Sequence, residues 1–224
     1  MIHKTAVVAG GTGLVGSRLI ELLTAAPEYS LVVALARRPM PATVDTLQWR
    51  KADFERLDKV LRDIRGSEAV PLDAFCCLGT TIKVAGSQDA FRRVDFDYVV
   101  RFGRWARGAN ARRLVVVTAL GANAASRVFY NRVKGDTEQA LGALGLPSLV
   151  VLRPSLIDGE RAQHRPGEGV ALKLTRPIRS FLPRFIRPVR DIDVAASMLA
   201  AARADRAPLL IESAQMHDAA ARLR

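Results

Sequence analysis

Tyr130 and Lys134 lie four residues apart in the stretch Phe129-Tyr130-Asn131-Arg132-Val133-Lys134. On a helix that spacing stacks the two side chains on one face. A phenol with a reference pKa of about 10 is a poor proton donor or acceptor at neutral pH. A neighbouring ammonium stabilises the phenolate and turns the phenol into a usable acid or base. The same ammonium can bind ribose hydroxyls. Tyr-x-x-x-Lys also arises by chance, as an aromatic beside a surface lysine, so it acquires meaning only beside a second signal.

Gly10-Gly11-Thr12-Gly13-Leu14-Val15-Gly16 supplies that signal. Glycines there allow left-handed backbone angles and let main chain approach a pyrophosphate. The helix that follows offers free N–H groups and a partial positive charge to the anion. The spacing parses as G-x-G-x-x-G from Gly11 or as G-x-x-G-x-x-G from Gly10. It stands between a good strand and a good helix, the context that dinucleotide binding requires. Gly10, Thr12, Gly13, Leu14, Val15 and Gly16 are therefore expected to cradle a pyrophosphate, against the plainer reading of a turn kept tight for packing.

The next strand ends in Ala34-Leu35-Ala36-Arg37-Arg38-Pro39. NAD sites usually place Asp or Glu there to hold the ribose 2′-hydroxyl. A carboxylate would repel a 2′-phosphate, whereas a guanidinium grips one through charge-assisted bonds. Arg37 and Arg38 thus point to NADP(H). The alternative is two more solvated arginines in an arginine-rich chain.

The elements that must hold these residues alternate. Thr5–Ala9, Leu31–Leu35, Ala74–Cys77, Leu114–Thr118, Leu149–Arg153 and Leu209–Glu212 read as buried strands, short and rich in Val, Leu or Ile. Helical patterns fall near residues 14–25, 54–64, 88–109, 124–144 and 191–203. In the third of these, Phe91, Val94, Tyr98, Phe102 and Trp105 recur at three- and four-residue spacing, as a buried stripe does. Such alternation predicts an α/β fold with a doubly wound parallel sheet. One domain is expected over 1–224. Its core would cover 1–155, an irregular basic segment 156–190, and a short C-terminal extension 191–224 with the last helix, a strand and the tail. Residues 169–190 hold no acid but carry Lys173, Arg176, Arg179, Arg184, Arg187 and Arg190.

Composition narrows the classes further. The 224 residues are 49% hydrophobic and 25% charged, which excludes a disordered tail, a collagen-like fibre and a disulfide-stapled miniprotein. The net charge of +12 favours solubility and attracts anions. By itself it does not name nucleic acid, which is not an expected partner. Cys76 and Cys77 are adjacent, so they provide no disulfide framework, and they make no zinc site. Burial at a strand end makes them small hydrophobes rather than redox groups. His3, His164 and His217 are far apart and form no metal spacing, so no metal is expected. Trp49 and Trp105 read as core or groove fillers. The apolar run at the N-terminus stops at Gly10, and no stretch of about 18 apolar residues follows. A cytoplasmic protein without a membrane span is expected.

Over nearly its whole length the chain resembles the atypical short-chain dehydrogenase/reductase family. It looks most like the Tat-interacting-protein oxidoreductase-like branch, whose bacterial members are described as epimerase-like. The closer match rests on Cys77-Leu78-Gly79-Thr80-Thr81, Phe91-Arg92-Arg93-Val94-Asp95-Phe96-Asp97, Leu120-Gly121-Ala122, Tyr130 to Gly135, and Leu152-Arg153-Pro154. The resemblance implies a Rossmann fold for NADP(H), with Gly10, Gly13 and Gly16 along the pyrophosphate. It implies Asp53 and Phe54 beside the adenine, Leu78, Gly79 and Thr80 along the cofactor, and Pro154, Ser155 and Leu156 past the nicotinamide. Tyr130 would be the acid/base and Lys134 its partner.

Two departures accompany it. The family sets a Ser or Thr hydroxyl at the end of the fifth strand, against the substrate carbonyl. Here Val117 is followed by Thr118-Ala119-Leu120, where the closer relatives commonly show two serines. Thr118 is the candidate hydroxyl, with Ser126 as a substitute; if the second position is the active one, it has become Ala119. The remainder after Arg153 is also too short for the substrate domain of the sugar-nucleotide epimerases. The expected activity is reduction of a small carbonyl or imine by NADPH. The alternative is a regulatory NADP(H)-binding protein that meets an acidic protein partner through its basic surface. Helices 88–109 and 124–144 are the surfaces through which a homodimer would form.

Overall fold

Short apolar runs such as Ala6-Val7-Val8-Ala9 and Leu114-Val115-Val116-Val117 build the middle of one parallel sheet. The computed structural model describes residues 3–38, 40–41, 43–159, 182–206 and 209–223. Its strands are β1 (Lys4–Ala9), β2 (Tyr29–Ala36), β3 (Leu47–Lys51), β4 (Leu72–Cys76), β5 (Arg113–Val117) and β6 (Leu149–Arg153), then β7 (Ile157–Asp158), β8 (Val189–Arg190) and β9 (Leu210–Glu212). Seven of them order as β3-β2-β1-β4-β5-β6-β9, and β7 pairs with β8 apart from that sheet. All of these pairings are parallel. This is the Rossmann-like, single-domain fold that the alternating pattern predicts.

Alternate residues of each strand enter opposite cores. Ala6 and Val8 of β1 join the layer under α1 (Leu14–Thr24), while Val7 and Ala9 join the other. The helices in chain order after α1 are α2 (Leu57–Val60), α3 (Ile82–Ala85), α4 (Gln88–Arg92), α5 (Tyr98–Gly108), α6 (Phe129–Gly142), α7 (Asp191–Arg203), α8 (Ser213–Met216) and α9 (Ala219–Arg222). The layer under α1 is completed by Val194, Ala195, Met198 and Leu199 of α7; Val99, Phe102 and Ala106 of α5 and Leu141 of α6 fill the other. A π-helical turn, Arg93–Asp97, joins α4 to α5 without a break.

The winding direction changes between β1 and β4. The chain leaves β1 for β2 and β3 on one side, then crosses back to β4 on the other. A crevice opens at the carboxyl ends of strands at such a switch point. Register places three segments together there. Ala9 pairs with Leu35 on one side and with Cys76 on the other, so Gly10, the Arg37 segment and Cys77-Leu78 leave the sheet side by side.

Several boundaries differ from the sequence reading. β3 was not among the six expected strands. The helix expected over 54–64 is the single turn α2, and the one expected over 124–144 begins only at Phe129. Of the acid-free stretch, Lys173, Arg176 and Arg179 lie outside the described residues, as does His164. Its described arginines lie against the C-terminal elements and their own loop. Arg184 pairs with Asp218 at 3.3 Å, Arg187 donates to the Leu182 carbonyl at 2.9 Å, and Arg190 meets Asp193 at 2.6 Å.

Candidate functional site

Gly10 follows β1 with φ +83, in the left-handed region that glycine tolerates. A Cβ there would stand 2.7 Å from the carbonyl carbon and oxygen of Cys77, so the turn lies hard against the exit of β4. Gly16 is held as closely, for a Cβ would stand 2.2 Å from the Gly10 oxygen. Gly13 caps α1 without any side-chain bond, and no acid occupies the first turn of that helix. Among the described residues, no acceptor meets the N–H groups of Leu14, Val15 and Gly16. A concave backbone with unsatisfied donors and no competing carboxylate fits a pyrophosphate. Thr12 is exposed at the same turn.

Arg37 and Arg38 extend from the end of β2, both exposed, and neither has a partner among the described residues. Asp53 closes a turn by accepting the Glu55 N–H at 3.0 Å. Phe54 stacks on Tyr98 with centroids 5.2 Å apart. Its ring also edges a groove of about 520 Å³ that runs between α2 and α5 past Leu57, Leu61, Arg101 and Trp105. Tyr130 and Lys134 do not line that groove.

On α6, Tyr130 is half-buried and tilted against the Phe91 ring, 5.4 Å between centroids. Lys134 lies one turn further on, only 4% exposed, with Nζ 6.0 Å from the Tyr130 ring centroid. Its ammonium meets the fully buried Asp95 at 2.7 Å. Burial pushes the Lys134 pKa down, but Asp95 and, after it, the Tyr130 phenol outweigh that and hold it above its ordinary value. The other carboxylate oxygen of Asp95 accepts the Thr80 N–H at 2.9 Å. Leu78-Gly79-Thr80 is thereby tied to the helix that carries Tyr130. In the sequence, the one signal of Asp95 is a charged residue inside an apolar stripe.

Thr118, the candidate hydroxyl, directly follows β5. It is 6% exposed and its hydroxyl donates to Glu138 Oε1 at 2.6 Å, with the Leu152 carbonyl at 3.3 Å. The proton expected to reach a substrate carbonyl is committed to Glu138. Glu138 in turn accepts two hydrogen bonds from the Arg153 guanidinium, at 3.0 Å on Oε1 and 2.5 Å on Oε2. These residues form a structural lock between β5, β6 and α6. Beyond β6, the Pro154 oxygen accepts the Leu120 N–H at 2.8 Å, and Ser155 donates to the Arg187 carbonyl at 2.6 Å. Leu156 is partly exposed next to them and accepts the Val189 N–H at 2.9 Å.

Both thiols are insulated. Burial pushes the Cys76 thiol up to about 12 and holds that of Cys77 well above its ordinary value. Residue Cys77 is half-buried as a whole, but its Sγ points inward and lies 3.7 Å from Met198 Sδ. A water-soluble aromatic disulfide at pH 8 is therefore expected to leave both cysteines untouched until denaturant unfolds the chain, as the absorbance of released thiolate would register. Fast reaction of the native protein would contradict this account.

The family of NAD(P)H-binding proteins matches residues 10–172. FMP52, a mitochondrial protein of Coccidioides immitis (strain RS), is 32% identical over 174 residues, covering 74% of this chain and 71% of the relative. HTATIP2 of Rattus norvegicus is 31% identical over 176 residues, covering 77% of this chain and 71% of that protein. The solved structure of MoeE5 in complex with UDP-glucose and NAD has a TM-score of 0.69 at 17% identity, over 98% of this chain and 81% of MoeE5. That last likeness is one of fold. The cytoplasmic expectation is overturned, because the FMP52 relatives are named mitochondrial proteins. It rested on the shortness of the apolar runs, which does not distinguish these compartments. No helix among the described residues is long and apolar enough to cross a membrane. The matched residues and the two relatives decide the family: the chain belongs to the NAD(P)H-binding proteins of the atypical short-chain dehydrogenase/reductase type, with HTATIP2 and FMP52 among its relatives.

Proposed function

We propose that the protein is an NADPH-dependent reductase of small carbonyl compounds, with Tyr130 as proton donor and Lys134 as its cationic partner. The observation that carries this reading is the buried Lys134 ammonium one helical turn from the Tyr130 ring, on the helix roped to Gly79-Thr80. When bound, NADPH supplies the hydride. Leu14, Val15 and Gly16 hold the pyrophosphate with their free N–H groups, and Asp53 and Phe54 flank the adenine. Leu78, Gly79 and Thr80 line the dinucleotide on one side; Pro154, Ser155 and Leu156 pass the nicotinamide on the other. Tyr130 gives its proton to the carbonyl oxygen, and Lys134 stabilises the phenolate left behind. Much of the rate comes from holding donor and acceptor in register.

The choice of NADPH over NADH rests on Arg37 and Arg38, two exposed guanidiniums without a carboxylate at the end of β2. Arg37→Ala is expected to weaken NADPH binding by about 1.5–3 kcal/mol, tenfold or more, and to leave NADH binding unchanged. Fluorescence titration with both dinucleotides measures it. Equal affinity for the two in the wild type would remove the NADP(H) assignment.

A second reading has its own observation. With Thr118 committed to Glu138 and Ala119 next to it, no hydroxyl of that pair is left for a substrate. A regulatory protein that binds NADP(H) and acts through a partner would need none. Turnover decides between the two: NADPH oxidation is followed against a panel of aldehydes, ketones and quinones. Tight NADPH binding with no oxidation on any of them would favour the regulator.

A further inference from the structure

Among the described residues, Asp95 is the one fully buried carboxylate that pairs with Lys134, and it makes three connections. Oδ1 lies 2.7 Å from Lys134 Nζ; that approach is an ion pair rather than a well-directed hydrogen bond, and Oδ1 has no other partner among the described residues. Oδ2 accepts the Thr80 N–H at 2.9 Å, and the Asp95 carbonyl accepts the Thr137 hydroxyl at 2.9 Å. A Cβ on Gly79 would lie 3.6 Å from Asp95 Oδ1 and 3.8 Å from Lys134 Nζ, so the turn after β4 roofs the ion pair with bare main chain. Asp95 also sits in the π-helical turn Arg93–Asp97. Such turns are rare and concentrate at functional sites.

We propose that Asp95 is the positioning residue of this site: its carboxylate keeps Lys134 charged and fixed, and ties that charge to the Gly79-Thr80 turn. The proposal rests on reading Tyr130 and Lys134 as the reacting pair. An ammonium this deep loses its hydration, and alone it would shed its proton toward neutral pH. The groups that face it are Asp95 from the π-helical turn, the Tyr130 phenol from its own helix and the Cys76 thiol from β4. Of these, only Asp95 is a carboxylate. The thiol stays neutral, with burial holding it up to about 12. Without Asp95, Lys134 would lose its charge at lower pH, and the phenol would lose its cation over the same range.

The test labels lysine at Cε with ¹³C and follows its NMR shift against pH, with Lys134→Arg identifying the Lys134 signal. In the wild type that signal is expected to stay at its charged position to pH 10 or above. In Asp95→Asn it should titrate at least about one pH unit lower, and the alkaline limb of kcat/KM should move down with it. If Asp95→Asn folds poorly, the melting temperatures of Asp95→Asn, Lys134→Met and the double variant close a cycle. The asparagine penalty should shrink once the ammonium is gone. An unshifted Lys134 titration, or strictly additive penalties, would overturn the proposal. The Lys134 titration and the melting cycle need no turnover. A protein inactive on every carbonyl would therefore sink the reductase reading alone, whereas an active one with an unshifted Lys134 would sink this inference alone.

Discussion

Tyr130→Phe is expected to lower kcat for carbonyl reduction by roughly 10²–10⁴-fold, the usual contribution of a general acid, and to leave NADPH affinity within about twofold. The substitution removes one oxygen and nothing else that the structure uses. The aromatic ring rests on Phe91 at 5.4 Å, a contact phenylalanine repeats. Lys134 keeps Asp95 as its counter-ion, so the buried charge gains no new penalty. Loss of the proton donor then appears in kcat, while binding of dinucleotide, which depends on the glycine turn, stays as it was. Steady-state NADPH oxidation at saturating cofactor, paired with a fluorescence titration, reads both quantities. An undiminished kcat would take Tyr130 out of the chemistry.

The inner strands were legible because both of their faces are covered, which demands an unbroken apolar run. β3 has no such demand. Its sequence, Leu47-Gln48-Trp49-Arg50-Lys51, lies at the sheet edge with only Leu47 fully buried, so polar residues break the run. The start of α6 was misplaced for a different reason. Ala124 and Ala125 favour a helix locally, but Gly135 lets the preceding loop lie against α6; a Cβ there would stand 2.1 Å from Ala124 N. Tertiary packing decided the boundary.

The helix with the π turn shows how a periodic reading loses a functional residue. The expected stripe ran through Phe91, Val94, Tyr98, Phe102 and Trp105. Phe91, Asp95, Val99, Phe102 and Ala106 form the buried line instead, with Val100 and Gly103 buried beside it. The π turn widens the helix in the middle of that line, and the position facing inward there is an aspartate. A search for apolar spacing passes over it. Thr118 shows a different limit: its residue type and place can be read from the chain, but the partner of its hydroxyl, Glu138, stands twenty residues on in α6. Glycine turns and Tyr-x-x-x-Lys spacing are local and can be read from the chain. Buried ion pairs and hydroxyl partners are made by residues far apart in it.

Gly16→Ala puts the glycine turn itself to the test. The added carbon would meet the Gly10 oxygen at 2.2 Å, the Gly10 carbonyl carbon at 2.9 Å and the Gly11 Cα at 3.0 Å, all of them backbone. No side chain can swing aside, so α1 must shift from the turn or the turn must open. Overpacking of this kind costs about 1–3 kcal/mol of stability. The cost to binding is expected to be larger. The Leu14, Val15 and Gly16 N–H groups face a pyrophosphate only while α1 and Gly10 keep their spacing, and each hydrogen bond to a charged group contributes about 1.5–3 kcal/mol. Losing two of them raises the Kd for NADPH at least about a hundredfold. Gly142→Ala supplies the control, because nothing lies within 4 Å of a Cβ there at the end of α6. That variant should bind NADPH as the wild type does and melt no earlier. Thermal melts and NADPH titrations of the two variants therefore separate a general glycine effect from the cradle. Unaltered NADPH affinity in Gly16→Ala would mean that the dinucleotide binds elsewhere.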